Sequence, residues 1–351
     1  METADRQTRR PAPGVYGRPA PDGRAALEAV AAPAPGDLLA ARAAIGGLLQ
    51  RTPFEVSRSL SSRTGREIHL KLENCGPIRS FKARGALALF ARLGPERLAP
   101  GVVTASTGNH GQGVAYAAAR HRVNATVVPA AGSDPIKLDA MRRLGANLVD
   151  GASTLAEAAN TARELSERDG LVYIEDGDDP GLMAGAATVA WEMLESEPRL
   201  DTIIVPVGGG NLIAATLLAV RALKPEVCVV GVQSQAAPGV FLSWQAGEII
   251  CVPAETFAGG LGADVPGELA LAVMRQELSH MVVVTEQDLL DGIRDFYDLT
   301  GFVVEGAAAA PLAALTRFGP DLPGERVGAI VTGGWLGSSL LARALRLDSG
   351  S

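Results

Sequence analysis

The chain has 351 residues, of which 47% are hydrophobic and only 4% aromatic, and its formal net charge is −7. This length allows two domains with their own cores, and an acidic balance without Lys/Arg runs argues against nucleic acid as a partner. No apolar run is as long as a membrane span, and the N-terminus lacks the apolar core of a signal peptide. Cys75, Cys228 and Cys251 are widely spaced and predict thiols in a reducing compartment. We therefore expect a cytoplasmic protein without membrane contact.

An alternation of strands and helices follows an irregular N-terminal segment. Residues 1–36 are rich in Pro, Ala, Gly and Arg without periodicity, and they predict a flexible or loosely docked arm. Asp37 is predicted to cap the first helix. Short apolar runs then alternate with helical stretches, which is typical of an α/β fold with parallel sheets and helices on both faces. Three strands end in glycine turns, and ligands in such folds bind at the carboxyl ends of strands. These glycine turns therefore predict the edge of the sheet at which a ligand binds.

Lys82 is the first candidate site residue. Only four of the 32 basic residues are lysines. A chain that uses Arg for ordinary positive charge retains Lys where an amine is needed, for example to form a Schiff base with an aldehyde. Ser80 is predicted to cap a helix over residues 83–92, so that Lys82 lies in the first turn, where the helix dipole disfavours the ammonium. An ordinary surface lysine near a helix start is the alternative that composition alone leaves open.

A polar turn follows the next predicted strand. Its residues are Ser106, Thr107, Gly108, Asn109 and His110. Two hydroxyls, an amide and the backbone donors of a helix N-terminus suit a carboxylate, and Asn109 is available to bond a ring oxygen. A plain capping turn is the alternative. His110 is a candidate general base, although a lone histidine is more often packed or capping.

A second turn, Gly208-Gly209-Gly210-Asn211, lies between a buried strand and a helix. Bare glycines let backbone N–H groups approach an anion, so the turn predicts a phosphate site. A nicotinamide site needs G-x-G-x-x-G, but Ile213 occupies the sixth position, and no P-loop Gly-Lys-Ser/Thr follows. A tight packing turn remains the alternative. Thr332 ends the last strand, where its hydroxyl could meet a ring nitrogen or cap a helix.

Asp176-Gly177-Asp178-Asp179-Pro180 has the beginning of a calcium loop, but Pro180 stands where the third ligand should be. A capped turn before a helix over residues 185–194 is therefore predicted. The four histidines show no zinc spacing.

An amine lysine, a phosphate turn, a carboxylate turn and a late hydroxyl together describe a pyridoxal phosphate site. From about residue 51 to 345, the sequence resembles the fold type II pyridoxal-phosphate enzymes (the tryptophan synthase beta-like superfamily), in the threonine/serine dehydratase and serine racemase branch. The motifs that carry the resemblance are SFKARGA at 80–86, STGNHGQG at 106–113, VPVGGG at 205–210 and VVEGA at 303–307. They occur in the family's order.

The resemblance implies a role for each candidate residue. Lys82 is the Schiff-base lysine and the base for the α-proton, and Phe81 flanks the cofactor ring. Asn109 bonds the phenolic oxygen of the ring, and Thr332 faces the pyridine nitrogen. The phosphate is held by Gly208, Gly209, Gly210, Asn211 and Leu212. The substrate is bound by Ser106, Thr107, Gly108, Asn109 and His110.

The resemblance also implies the architecture. A large cofactor-binding domain over residues 37–100 and 179–351 and a small closing domain over residues 101–178 are expected, with the active site between them. Family members commonly form homodimers. The metal carboxylates of the racemase branch align near Gln233 and Gly239, so no metal is expected.

The implied reaction is α,β-elimination of a β-hydroxy L-amino acid such as threonine or serine to a 2-oxo acid and ammonia. One alternative is racemisation, because Thr107 stands where the racemase branch has a hydroxyl serving the opposite face of Cα. A second alternative is β-replacement on a larger specialised substrate, which Asn211 and Trp335 leave open although His110 argues against it. A non-catalytic cofactor-binding protein is disfavoured by Lys82 and Asn109.

Overall fold

The computed structural model describes residues 10–19 and 31–346. The strands are β1 (Gly14–Gly17), β2 (Phe54–Val56), β3 (Glu67–Leu72), β4 (Val102–Ala105), β5 (Ala125–Val128), β6 (Asn147–Leu148), β7 (Val172–Tyr173), β8 (Thr202–Pro206), β9 (Cys228–Ser234), β10 (His280–Val284) and β11 (Arg326–Val331). The α-helices are α1 (Pro35–Gly46), α2 (Arg58–Thr64), α3 (Lys82–Leu98), α4 (Asn109–His121), α5 (Pro135–Arg143), α6 (Leu155–Asp169), α7 (Pro180–Ser196), α8 (Asn211–Leu223), α9 (Gly239–Ala246), α10 (Glu268–Glu277), α11 (Glu286–Thr300), α12 (Gly306–Phe318) and α13 (Ser338–Leu345). The predicted α/β class with parallel sheets is confirmed.

The described residues form two compact units. The seven-strand unit contains residues 10–19, 31–32, 52–75 and 189–346, and the four-strand unit contains residues 33–51 and 76–188. These limits differ from the predicted domain boundaries at residues 101 and 178. The difference places α3, and with it Lys82, in the four-strand unit. The reason is close packing: a Cβ atom on Gly113 of α4 would lie only 2.8 Å from the carbonyl oxygen of Lys82.

The sheet of the seven-strand unit has the order β1-β10-β9-β8-β11-β3-β2. The edge strands β1 and β2 run antiparallel to their neighbours, and the inner strands are parallel. All five residues of β8 are buried, as expected for a continuous apolar run inside a covered parallel sheet. From β8 the chain proceeds outward through β9 and β10, and it later returns to the other side of β8 as β11. The strand order therefore reverses between β8 and β11, where ligands bind in such sheets.

The first strand lies within the N-terminal segment that is predicted to be a flexible or loosely docked arm. Residues 14–17 pair with β10, and Arg18 Nε donates a 3.1 Å hydrogen bond to the carbonyl of Leu278. An edge strand with unpaired backbone groups can add a short segment of this kind without requiring any apolar periodicity in it. Residues 14–17 of the predicted arm thus form a docked edge strand, and residues 1–9 and 20–30 lie outside the described part. Asp37 is also not the helix cap: Ala34 is, and Asp37 accepts its N–H at 2.8 Å.

The four-strand unit contains a fully parallel sheet of order β6-β5-β4-β7. Helix α6 packs on β4 and β5 through Ala158 and Ala162, which meet Val103 and Val128 in a small apolar core. The chain leaves β4 toward β5 and β6 and returns on the other side as β7, so this sheet also reverses its order, between β4 and β7. Among the helices of residues 10–19 and 31–346, none combines the length and apolar character needed to span a bilayer.

Candidate active site

Lys82 is the first residue of helix α3. Phe81 occupies the N-cap position, so the prediction of Ser80 as the N-cap is wrong; the hydroxyl of Ser80 instead accepts the N–H of Lys82 at 3.4 Å. The ammonium of Lys82 lies 5.6 Å from the centroid of the Phe81 ring. The amine is thus held in the first turn of a helix, and its side chain is 24% exposed.

Asp176, which the sequence analysis considered only as part of a calcium-like loop and not as a site residue, forms an ion pair with Lys82. Its Oδ1 lies 2.5 Å from Lys82 Nζ and 3.3 Å from Nδ1 of His110. The contact follows from topology, because Asp176 comes after β7 and His110 after β4, and these neighbouring strands flank the switch point of the small sheet. The capped turn predicted here exists, but Asp179 is its capping residue and accepts the N–H of Gly181 at 2.6 Å.

Lys82, Asp176 and His110 form a polar cluster, in which burial and mutual contact set the charges of Asp176 and His110. Burial by itself raises the pKa of Asp176, but the nearby charges of His110 and Lys82, and the hydrogen bond from Lys82, outweigh it and lower that pKa to about 2. Burial lowers the pKa of His110, and the attraction of Asp176 offsets this only in part. At neutral pH the cluster therefore contains an ionised Asp176 and a neutral His110, whose Nε2 lies 3.1 Å from the hydroxyl of Thr104.

The polar turn after β4 is held by one side chain. The hydroxyl of Ser106 accepts the N–H groups of Gly108 at 3.1 Å and Gly111 at 2.9 Å, and so caps helix α4. Thr107 is exposed and Asn109 is half-buried. The structure therefore brings the predicted substrate-binding residues into one turn at a helix N-terminus, in the same unit as Lys82 and Asp176.

The glycine turn after β8 lies at the switch point of the large sheet. A Cβ atom on Gly208 would collide with the carbonyl oxygen of Gly260, and Gly210 has a φ of 100°. Helix α8 begins at Asn211, and the side chains of Asn211 and Leu212 are buried. The first N–H groups of a helix have no acceptor within it, so this turn offers backbone donors and a positive dipole end to an anion.

Thr332 follows β11, the neighbour of β8. Its side chain is 4% exposed, and Oγ1 has no hydrogen-bond partner among the described residues. The adjoining Gly333 is anchored, since its carbonyl accepts the N–H of Glu305 at 3.1 Å. A buried hydroxyl without a partner is costly, so this position is suited to a ligand that can accept a hydrogen bond.

These two features of the seven-strand unit fit pyridoxal phosphate. The cofactor carries a phosphate, which matches the turn after β8, and a ring nitrogen that can accept a hydrogen bond, which matches Thr332. The aldehyde requires an amine, and Lys82 is the predicted one. The residues present are thus those that the cofactor needs.

A separate polar cluster lies at the start of β3. Ligand atoms of Glu67, His69 and Glu197 lie within 4.8 Å of one another. Glu67 also pairs with Arg326, at 2.7 and 3.0 Å, and these hydrogen bonds lead the effects that lower the pKa of Glu67 to about 2. The guanidinium already balances this carboxylate, so we interpret the cluster as an ion-pair network. The expectation of no metal stays a prediction.

Comparisons with known proteins identify the family to which the chain is similar. The family model described as "Pyridoxal-phosphate dependent enzyme" matches residues 45–333. An L-threonine ammonia-lyase of Thermotoga maritima is 34% identical over 310 residues, which are 88% of this chain and 77% of the relative. The processed form of threonine deaminase isoform 2 from Solanum lycopersicum has a TM-score of 0.86 at 31% identity, covering 97% of this chain and 93% of that one. Maize serine racemase has a TM-score of 0.84 at 28% identity, covering 89% of this chain and 96% of that one.

The family match spans most of the chain, including the segments of Lys82, of the polar turn and of the glycine turn. The cofactor of the protein is therefore pyridoxal phosphate. The chain belongs to the family of pyridoxal-phosphate-dependent enzymes and is a lyase of its threonine/serine dehydratase and serine racemase branch.

Proposed function

We propose that the chain converts a β-hydroxy L-amino acid such as L-threonine or L-serine to a 2-oxo acid and ammonia by α,β-elimination. The observation that carries this proposal is the buried, unpartnered hydroxyl of Thr332. When bound, pyridoxal phosphate supplies a sink for the electron pair released at Cα. A neutral hydroxyl donates to the ring nitrogen without protonating it, which keeps that sink weak. A weak sink favours expulsion of a β-hydroxyl over routes that need a long-lived carbanion, such as transamination.

Lys82 has two tasks in this proposal. Its amine holds the aldehyde carbon of the cofactor at rest, and when released it takes the proton from Cα. Phe81 flanks the ring and Asn109 bonds the phenolic oxygen. Gly208 and its neighbours through Leu212 hold the phosphate with backbone N–H groups.

The polar turn is proposed to bind the substrate carboxylate. The turn lies at the start of helix α4, where the dipole favours an anion. Ser106 holds the turn in place by accepting the N–H groups of Gly108 and Gly111. Thr107 is exposed beside them and supplies a further donor, and His110 borders the turn.

The test compares Lys82→Arg with Lys224→Arg. Lys224 follows helix α8 and donates to the carbonyl of Pro198. Lys224→Arg therefore makes the same change of side chain and keeps the positive charge, but at a position without a proposed role in the reaction. We expect the wild type and Lys224→Arg to show a visible cofactor band and to release 2-oxo acid from L-threonine or L-serine. Lys82→Arg should lose both. A wild-type band without oxo acid from either amino acid would overturn the proposed reaction.

Racemisation is the second candidate. It requires a second acid–base group on the opposite face of Cα, and the exposed hydroxyl of Thr107 is the candidate for that group. Chiral chromatography of the same reaction decides between them. D-serine formed from L-serine faster than oxo acid would assign the chain to racemisation.

We further propose that the enzyme acts in the cytoplasm as a homodimer. Cys75, Cys228 and Cys251 form no disulfide among the described residues, which is the usual state of cysteines in a reducing compartment. The dimer is supported by the resemblance to family members that commonly form one.

A further inference from the structure

We propose that Asp176 selects the side chain of the substrate, favouring L-amino acids whose β-substituent carries a positive charge or donates hydrogen bonds and disfavouring those with a carboxylate there. The inference rests on the proposed function in one respect: Lys82 and the turn after β4 must bind the amino acid. Asp176 shares the four-strand unit with both of them. It is thus a candidate specificity residue that the motifs of the family did not reveal.

The two oxygens of Asp176 have different surroundings. Oδ1 contacts both Lys82 and His110. Oδ2 makes no hydrogen bond within residues 10–19 and 31–346, and the side chain is 45% exposed. One oxygen therefore anchors the carboxylate to the catalytic amine, and the other is free to accept a hydrogen bond from a bound molecule.

The charge of Asp176 is balanced only while Lys82 is an ammonium. To accept a proton from Cα, Lys82 must be a neutral amine, and the ion pair then loses its cation. His110 does not replace that cation, because its burial lowers its pKa. Asp176 itself is 45% exposed, and a solvent-exposed carboxylate is ionised at neutral pH, so its charge is then unbalanced. A substrate with a positive β-substituent would supply the missing charge.

The same charge argument predicts which substituents on Cβ of the substrate Asp176 favours and which it disfavours. An ammonium or a hydroxyl on Cβ can donate to Oδ2, and a charge-assisted hydrogen bond is the stronger of the two. A carboxylate on Cβ would face Asp176 with like charge, which is unfavourable at short range in a partly desolvated site. We therefore expect the order of affinity to be β-ammonium, then β-hydroxyl, then β-carboxylate.

The experiment measures binding to the cofactor-loaded enzyme through the change in its visible absorbance. The probes are L-2,3-diaminopropionate, L-serine and L-aspartate, and the variants are Asp176→Asn and Asp176→Glu. Asp139→Asn is the matched control, because Asp139 is exposed on helix α5 and pairs with Arg143. We expect Asp176→Asn to lower the affinity for diaminopropionate about tenfold and to raise the affinity for aspartate about tenfold, because one close negative charge is removed. Asp176→Glu should preserve the wild-type order, as should Asp139→Asn.

Two outcomes overturn the inference. One is an equal loss of affinity for all three probes in Asp176→Asn, which would make Asp176 a positioning residue for Lys82 and His110. The other is no change for any probe. Turnover of L-threonine by the wild type is measured separately, so a failure of the proposed elimination reaction is distinguishable from a failure of this selection.

Discussion

The two sheets reverse their strand order in the same way but present different chemistry at the reversal. In the seven-strand unit, the strands β8 and β11 end in a glycine turn and in Thr332. In the four-strand unit, β4 and β7 end near His110 and Asp176, with Lys82 beside them. The first edge thus offers backbone N–H groups and a neutral hydroxyl, and the second offers charged and titratable side chains.

This difference matches what the cofactor and the substrate require. A phosphate and a ring nitrogen do not change identity during the reaction, so backbone donors and a fixed hydroxyl suffice to hold them. The amino acid changes its protonation at Cα and varies in its side chain, so the groups that meet it must move protons and discriminate charge. The comparison predicts that substitutions at the first edge affect cofactor retention, and that substitutions at the second edge, apart from those of Lys82 and Asn109, affect the substrate.

The largest effect is expected for Gly208→Ala. Its new methyl group would collide with the carbonyl oxygen of Gly260, and backbone cannot move aside as a side chain can. We expect a loss of about 3 kcal/mol in the free energy of unfolding, at the upper end of the usual range for overpacking. Urea denaturation of the cofactor-free protein measures this loss.

Gly209→Ala is the matched variant, because no atom lies within 4 Å of a Cβ built at that position. Its stability should remain within about 1 kcal/mol of wild type or rise slightly. Its methyl group would instead stand beside the proposed phosphate, so cofactor affinity should fall. We interpret the glycines of this turn as serving two purposes, close packing at Gly208 and access of the anion to the backbone. Equal stability of the two variants would contradict the first of these.

An intermediate effect is expected for Ser106→Ala. Two N–H groups, of Gly108 and Gly111, would lose their acceptor. The expected cost is about 1 to 2 kcal/mol of stability, typical of a lost helix cap, with a raised KM for L-threonine. Ser166→Ala is the control, because its hydroxyl donates to the carbonyl of Leu171 elsewhere in the same unit. A KM unchanged in Ser106→Ala would argue against the turn as the carboxylate site.

The sequence was sufficient for the parts of the site that depend on local structure. The turns at Ser106 and Gly208 each combine a buried strand, small residues and a helix start within about ten residues, and this pattern is visible without tertiary information. Thr332 was accessible in the same way, as a hydroxyl between an apolar strand and two glycines.

The parts that depend on long-range packing were not accessible. Asp176 is separated from Lys82 by 94 positions, and only the placement of β7 beside β4 brings the two together. The strand at Gly14–Gly17 exists because the edge of β10 accepts it: Val15 and Tyr16 favour strands, but two such residues between glycines are too few to predict one. The assignment of α3 to the four-strand unit likewise depends on a close contact with Gly113.

The smallest effect is expected for Thr332→Val, and its sign distinguishes a ligand-binding hydroxyl from a structural one. Valine has the shape of threonine but removes the buried hydroxyl that lacks a partner among the described residues. The cofactor-free variant should therefore be more stable than wild type by up to about 1 kcal/mol, since an unsatisfied polar group is no longer buried. Pyridoxal phosphate should in turn stabilise the variant less than it stabilises wild type, and Thr332→Ser should behave as wild type in both states. Thermal denaturation with and without the cofactor measures both differences. A cofactor-free variant that is less stable than wild type would mean that the hydroxyl is already satisfied within the protein, and Thr332 would then lose its proposed role toward the ring nitrogen.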